Sequence, residues 1–238
     1  LRTVMSLSAS MGRITQDTGF LPYTTNANLA TDPLARPSLD AEVDTTNFAA
    51  AITSRVFDKG HINFSYRYDE RDNTTVQDTW NRVIVDTFPD GGEELNIPYS
   101  FERSALSISG DYDLFDMLKV SAGYDRKDVD RTFQEVASQS EDTGWGRLRL
   151  RPGKGFDIDL KGGASKRDAD NYDEAFAAAT GQNPLMRKYH LAYRYRQFGE
   201  ATLGWSAATA PVSISVSAAS NPPCCGISVN IRKILKPG

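Results

Sequence analysis

The sequence lacks the features that define several common protein classes. No run of apolar residues approaches the roughly 20 that a transmembrane helix needs, and the mean hydropathy of -0.46 is too polar for a helical membrane protein. The two cysteines, Cys224 and Cys225, are adjacent. They leave no CxxC spacing for zinc or thiol exchange and no CxxCH for covalent c-type haem. The net charge of -4, with charges of mixed sign, argues against nucleic acid as a partner.

Signatures of catalysis are missing as well. The chain contains no G-x-S-x-G elbow, no P-loop and no dinucleotide fingerprint. Its only histidines, His61 and His190, lie far apart in sequence and have no cysteine neighbour. We interpret both as polar wall residues and not as metal ligands or catalytic groups. The sequence therefore predicts a protein that is not an enzyme, with no catalytic, cofactor-binding or metal-binding residues.

What the sequence does contain is a two-residue alternation of apolar and polar side chains. In the stretch 61–69, Ile62, Phe64, Tyr66 and Tyr68 alternate with polar residues. A period of two indicates a strand with one apolar and one polar face. The same pattern predicts eight strands, at about residues 4–14, 43–56, 61–69, 101–114, 118–125, 144–151, 156–167 and 190–196, with a short extra strand at 82–85.

The connections between these strands alternate in length. Tight turns join the second to the third, the fourth to the fifth and the sixth to the seventh strand. Long polar loops occupy about 15–41, 70–100, 126–142 and 168–187. Short turns at one end and long loops at the other are typical of a membrane barrel. We predict an all-β fold, an antiparallel up-and-down transmembrane β-barrel of which about eight strands are present. The alternative is a soluble β-sandwich with one solvent-exposed face.

Aromatic residues are predicted at two levels of this barrel. Rings at both rims of an apolar band are what the two bilayer interfaces favour. The rings that we assign to the long-loop level are Tyr66, Tyr68, Tyr99, Phe101 and Tyr124, and those at the tight turns are Phe57, Phe115 and Phe156.

An acidic stretch at 168–174 could supply oxygen ligands to calcium. It lacks the glycine and the terminal glutamate spacing of a calcium loop. We interpret it as a solvated outer loop.

Three arginines project to one side of the sixth predicted strand: Arg147, Arg149 and Arg151. If the following turn places Arg151 opposite Asp157, then Arg149 meets Asp159, and the charges pair across the hairpin. We favour this structural interpretation over an anion-binding site.

Several longer segments resemble a known family, the decahaem-associated outer-membrane barrel proteins called MtrB/PioB. The likeness covers about Met5 to Ala192. The segments that carry it are SLSASMGR (6–13), FLPYTTN (20–26), YRYDERDN (66–73), LNIPYSFER (95–103), RTFQEV (131–136) and NPLMRKY (183–189).

The resemblance implies a large outer-membrane barrel of about two dozen strands. It would sheathe a periplasmic multihaem c-type cytochrome, and electrons would pass haem to haem to or from a partner outside, such as an extracellular multihaem cytochrome. The haem would belong to the partner cytochrome. The main alternative is a diffusion porin or uptake channel, and a third is a soluble β-domain that binds glycans.

The likeness also suggests a division of the chain. Residues 1–192 are expected to form the barrel segment, and residues 193–238 a divergent tail. We interpret the tail as the result of truncation or a shifted reading frame, because the aromatic final strand of such barrels is absent. The first residues, LRTV, already have the pattern of a strand and show no signal peptide. We therefore expect the chain to be a processed or truncated piece of a longer protein. The role of Cys224 and Cys225 stays open.

Overall fold

The computed structural model describes residues 2–29, 33–85, 88–153, 155–181, 183, 186–206, 211–221 and 224–233. Within them the regular secondary structure is almost entirely β. The strands are β1 Arg2–Gln16, β2 Ala41–Phe57, β3 Gly60–Asn73, β4 Thr79–Val85, β5 Phe88–Leu95, β6 Phe101–Phe115, β7 Leu118–Arg131, β8 Ser138–Gly153, β9 Phe156–Ala169, β10 Arg194–Ser206, β11 Pro211–Asn221 and β12 Cys224–Lys233. A short helix, α1 (Glu174–Ala179), and a 3-10 turn (Tyr189–Leu191) lie between β9 and β10.

Ten of these strands form one antiparallel sheet. Its order is β1-β2-β3-β6-β7-β8-β9-β10-β11-β12, and β4 and β5 pair separately as a hairpin. Apart from the β4–β5 hairpin inserted between β3 and β6, each strand pairs with the next one along the chain, which is the predicted up-and-down topology. In the described part of the chain β1 and β12 are the two edges, so the sheet is open.

The strand register divides the sheet into two chemically distinct faces. We name them by residues that the pairing places side by side. The apolar face includes Met5, Leu7, Phe48, Ile52, Phe64, Tyr66, Leu106, Ile108, Val120, Tyr124, Leu148, Leu160 and Leu203. The polar face includes Asn63, Ser65, Arg103, Ser107, Asp125, Glu141, Arg147, Asp159, Lys161, Arg167 and Arg194.

No second layer covers the apolar face in the part of the chain that the structure describes. The buried hydrophobic residues there are Val136, Ala177 and Leu191, and all three lie in connections between strands. Ile108 and Leu148, in the middle of the sheet, are 43% and 45% exposed. The accessible surface is 16671 Å², against about 10,600 Å² for a compact protein of this mass. A soluble sandwich, which needs two packed layers, does not describe this architecture.

The two ends of the sheet differ as the sequence predicts. At the short-turn end, three hairpins shift register just before the turn, between Arg55 and Phe57, Asp113 and Phe115, and Leu150 and Gly153. Such bulges bend the strand and increase its twist. At the long-loop end the strands run further than predicted: β7 continues to Arg131 and β8 begins at Ser138.

One local prediction is confirmed and another is wrong. The short extra strand expected at 82–85 is present as part of β4, one arm of the β4–β5 hairpin. The eighth predicted strand begins at Arg194 and not near His190, because residues 189–191 form a 3-10 turn that buries Leu191, whose N–H donates to the Lys188 carbonyl at 3.0 Å.

The sheet continues beyond residue 192. Strands β10, β11 and β12 extend it, and Cys224 and Cys225 begin β12. The interpretation of 193–238 as truncated or frame-shifted stays a prediction, and so does the boundary at 192.

Candidate functional site on the two faces of the sheet

The apolar face carries a continuous band of suitable height for a membrane. On β2 and β6 it runs from Phe48 to Phe57 and from Leu106 to Phe115. Ten residues at about 3.3 Å each, tilted by about 40°, span a height of about 25 Å. We call this zone the apolar band. Rings mark its rims: Phe156 stacks on Trp205 at the short-turn end, with centroids 6.2 Å apart.

Above the apolar band, towards the long loops, the same face becomes charged. Arg13 donates to Asp44 there, with an Nε–Oδ1 distance of 2.8 Å. Such groups cost several kcal/mol at the bilayer midplane and little near the interface, so the membrane boundary lies at this change. The charged residues on this part of the face are Arg13, Glu42, Asp44, Glu70, Asp72, Glu102, Arg126, Asp128, Asp130, Asp142, Lys166 and Asp168.

Salt bridges between neighbouring strands join the side chains of the polar face. Arg149 lies opposite Asp159 in register, and its Nη2 is 3.1 Å from Oδ2. Arg147 contacts the same carboxylate, and Arg151 Nε is 3.3 Å from Asp157 Oδ2. The pairing predicted from the sequence is confirmed. It supports the structural interpretation over an anion site, since the three guanidinium groups already have carboxylate partners.

Two aromatic rings lie flat against this wall. A Cβ on Gly123 would be 2.5 Å from the Trp145 ring, and one on Gly163 would be 2.7 Å from the Phe198 ring. Both glycines therefore allow a ring on the neighbouring strand to lie against the backbone, as aromatic residues do over strand glycines. Trp145 Nε1 donates to Asp125 Oδ2 at 2.8 Å. These rings line the polar face without projecting far from it.

One carboxylate on the polar face, near the long-loop end, accepts hydrogen bonds from three side chains. We call it the Glu141 hub. Glu141 accepts hydrogen bonds from Ser165 Oγ at 2.5 Å, Arg167 Nη2 at 2.7 Å and Arg194 Nη2 at 2.6 Å. Burial alone would raise the pKa of Glu141, but these three hydrogen bonds outweigh it and lower the pKa to about 2. The hub joins β8, β9 and β10. Glu141 lies in a segment predicted as a loop, so the sequence pattern does not indicate the hub.

The structure does not bring the two histidines together. His61 lies on the polar face near the short turns, with Nδ1 3.4 Å from Asp111 Oδ2. His190 lies in the 3-10 turn at the opposite end, where its carbonyl accepts from Arg167 Nη1 at 2.7 Å. Among the residues described, no group of three or more His, Cys, Asp or Glu could hold a metal ion. In the acidic stretch, Asp173 caps α1 by accepting from Phe176 N at 2.9 Å.

The long loops are folded and pack on one another. Phe20 contacts Trp80 edge to face at 4.9 Å, which joins the first loop to the β4–β5 hairpin. Lys188 Nζ reaches the fully buried carboxylate of Glu135 at 2.8 Å, which joins the third loop to the fourth. The acidic stretch 168–174 borders a small loop core through Asp173, whose N–H donates to the Glu135 carbonyl at 2.7 Å.

The fold defines the class of protein. An open antiparallel sheet with an uncovered apolar band and a polar face joined by salt bridges is part of a transmembrane β-barrel. In the described residues no helix is both long and apolar enough to cross a bilayer.

The comparisons with known proteins name the family. A family model described as "Putative outer membrane beta-barrel porin, MtrB/PioB" matches residues 2–221. The chain belongs to this family and is an outer-membrane protein, and a porin-like barrel family is not a class of enzymes. It is similar to the outer membrane protein MtrB of Shewanella baltica (strain OS185), with 28% identity over 198 residues, or 83% of this chain. The alignment spans only 28% of that relative's length.

Proposed function

We propose that this chain forms part of the wall of a large outer-membrane barrel that encloses a periplasmic multihaem c-type cytochrome. The barrel shields the haems from lipid, and electrons cross the membrane from haem to haem. The haem belongs to the cytochrome, and the chain itself carries out no redox chemistry. At the long-loop end an extracellular multihaem cytochrome exchanges electrons with the enclosed one.

One observation carries this proposal: the polar face holds its side chains close to the wall. Asp159 forms salt bridges with two arginines, and the rings of Trp145 and Phe198 lie against glycines. A face arranged in this way is hydrophilic and presents a smooth surface to whatever fills the bore. The main sheet has ten strands, in a chain that aligns with only 28% of its relative. Because barrel diameter grows with strand number, a larger barrel could hold a protein.

A diffusion porin or uptake channel is the second candidate. The description of the matching family uses the word porin, and a bore lined by charged side chains also suits solute passage. The two functions differ in what occupies the bore.

The test uses the full-length barrel that contains this segment, purified from outer membranes in mild detergent. We expect a haem-staining protein to co-elute with it, and we expect low ion conductance in planar bilayers until that protein is removed. A barrel that conducts ions freely and retains no haem-staining protein would support the porin instead.

A matched pair of variants sharpens the test. Ser109→Trp places a bulky ring on the polar face, whereas Ile108→Trp places it on the apolar face of the same strand. We expect Ser109→Trp to lower the amount of haem protein retained per barrel and Ile108→Trp to leave it unchanged. Equal retention by the two variants would argue that the polar face does not contact the cytochrome.

A further inference from the structure

The polar face has a cluster of cations at its long-loop end. They lie on the adjacent strands β3, β6 and β7, where Arg71 pairs in register with Phe101 and Phe101 with Arg131. Two residues lower on β6, Arg103 faces the same way. We call Arg67, Arg71, Arg103, Lys127 and Arg131 the mouth patch. On this stretch of the three strands the polar face offers one carboxylate, Asp69, which is 3.6 Å from Arg103. The register partner of Lys127 on β8 is Glu141, whose carboxylate already accepts from Arg167 and Arg194.

Most of the mouth patch is not neutralised. Arg67, Arg71, Lys127 and Arg131 make no salt bridge with any carboxylate in the part of the chain that the structure describes. This contrasts with Arg147 and the arginines beside it lower on the same face. Mutual repulsion among uncompensated cations destabilises the sheet, so the patch is not explained by folding stability.

Arg131 shows this most clearly. Its Nη2 donates to Gln139 Oε1 at 3.3 Å, while its Nη1 is buried and has no hydrogen-bond partner in the described structure. Burial and the nearby cations Arg103 and Arg167 lower the pKa of Arg131, against the opposing effect of Asp130. A buried donor without an acceptor is unfavourable unless an external group satisfies it. The arrangement suits an anionic partner.

The geometry indicates how large that partner is. Two guanidinium groups lie over the Phe101 ring, with Arg71 Cζ 5.6 Å and Arg103 Cζ 4.6 Å from its centroid. Arg103 and Arg131 also border a concavity of about 330 Å³. Three strands at about 4.8 Å spacing make the patch about 10 Å wide, and Arg67 to Arg71 adds about 13 Å along the strand. Five cations spread over this area match a surface with several carboxylates better than a single small anion.

We propose that the mouth patch binds an acidic surface of the protein that occupies the bore and so fixes its position at the long-loop end. This inference rests on the proposed function. Electrostatic complementarity of this kind orients a partner and makes its binding dependent on salt.

The test is a triple variant, Arg67→Gln with Lys127→Gln and Arg131→Gln, in the full-length barrel with its haem-staining partner. The matched control, Arg13→Gln with Arg126→Gln and Lys166→Gln, removes three cations at the same end from the opposite face. We expect the patch variant to bind the partner about tenfold more weakly at about 0.15 M NaCl. The difference should shrink near 1 M, where the Debye length is about 3 Å. The control should release the partner at the same NaCl concentration as the wild-type barrel.

A second readout separates binding from folding. Because the patch cations repel one another, we expect the patch variant to keep the wild-type heat-dependent mobility on SDS gels. A patch variant that folds and releases its partner at the wild-type NaCl concentration would overturn the inference and leave the proposed function intact. Weakening that potassium phosphate alone reproduces by competition at matched ionic strength would show a small-anion site and would also overturn it. A wild-type barrel that retains no haem-staining protein would overturn both proposals.

Discussion

The polar and apolar faces of the sheet are built from the same strands but are stabilised by different surroundings. On β6, Ile108 projects into an uncovered band, whereas Ser107 on the other face hydrogen-bonds Asp125 at 2.5 Å. The apolar face makes few contacts of its own because hydrocarbon covers it in the membrane. The polar face must satisfy its charges within the wall. The comparison shows that a single layer of strands can be stable when each face meets a solvent that matches it.

The largest expected effect comes from placing a charge on each face in turn. Ile108→Arg puts a cation in the middle of the apolar band, where it should destabilise the barrel by about 2–4 kcal/mol. Ser109→Arg, one residue away, should cost far less because that side chain faces the hydrophilic bore. Urea unfolding of the full-length barrel in lipid vesicles measures both. Equal losses from the two variants would contradict the assignment of the faces.

A smaller effect should follow from adding volume beside the inner rings. Gly163→Val would bring its Cβ into collision with the Gly144 carbonyl oxygen and to 2.7 Å from the Phe198 ring. The backbone must shift, at a cost of about 1–3 kcal/mol. Gly199→Val is the control on the apolar face, since a Cβ there has no heavy atom within 4 Å. We expect a lower urea midpoint for the first variant only, and an unchanged midpoint would refute the close packing inferred here.

Removal of the shared carboxylate on the polar face should have a moderate effect. Asp159→Asn leaves Arg147 and Arg149 without their acidic partner. Both arginines are partly exposed, so we expect a loss of about 1 kcal/mol. A double-mutant cycle with Arg147→Gln should give a smaller loss than the sum of the single losses. Strict additivity would show that the ion pair does not contribute.

The smallest expected effect is a loss of stability at acid pH. Glu141 has a pKa lowered to about 2 in the folded barrel, below its value of about 4.3 in an unfolded chain. Its contribution to stability is therefore complete above about pH 4.3 and disappears as the pH falls through about 2. The wild-type barrel should lose more stability over this range than Glu141→Gln, as monitored by heat-dependent mobility after incubation at each pH. Parallel losses would exclude the hub as the cause.

The alternation of apolar and polar residues predicts the strands of the sheet well, because every second side chain of a strand lies on the same face. Strand β6 was expected at about 101–114 and extends over Phe101–Phe115. The pairing of Arg149 with Asp159 was expected only if the turn places Arg151 opposite Asp157, and the structure has that alignment.

The long-loop end could not be predicted in the same way. Phe101 was assigned to the aromatic rim, but the register places it on the polar face between two arginines. The Glu141 hub and the loop core around Val136 depend on contacts between segments distant in sequence. Local periodicity carries no information about such contacts, because it reports only which face a side chain occupies.

The most direct test of the account is spin labelling of both faces in the full-length barrel, reconstituted in lipid. Labels at Phe64, Leu106 and Ile158 should relax with oxygen dissolved in the bilayer. Labels at the neighbouring positions Ser65 and Ser107 should be shielded from it. Labels at Phe64, Leu106 and Ile158 that are shielded from both oxygen and a water-soluble nickel chelate would reveal a second protein layer over the apolar face. That result would contradict the membrane assignment.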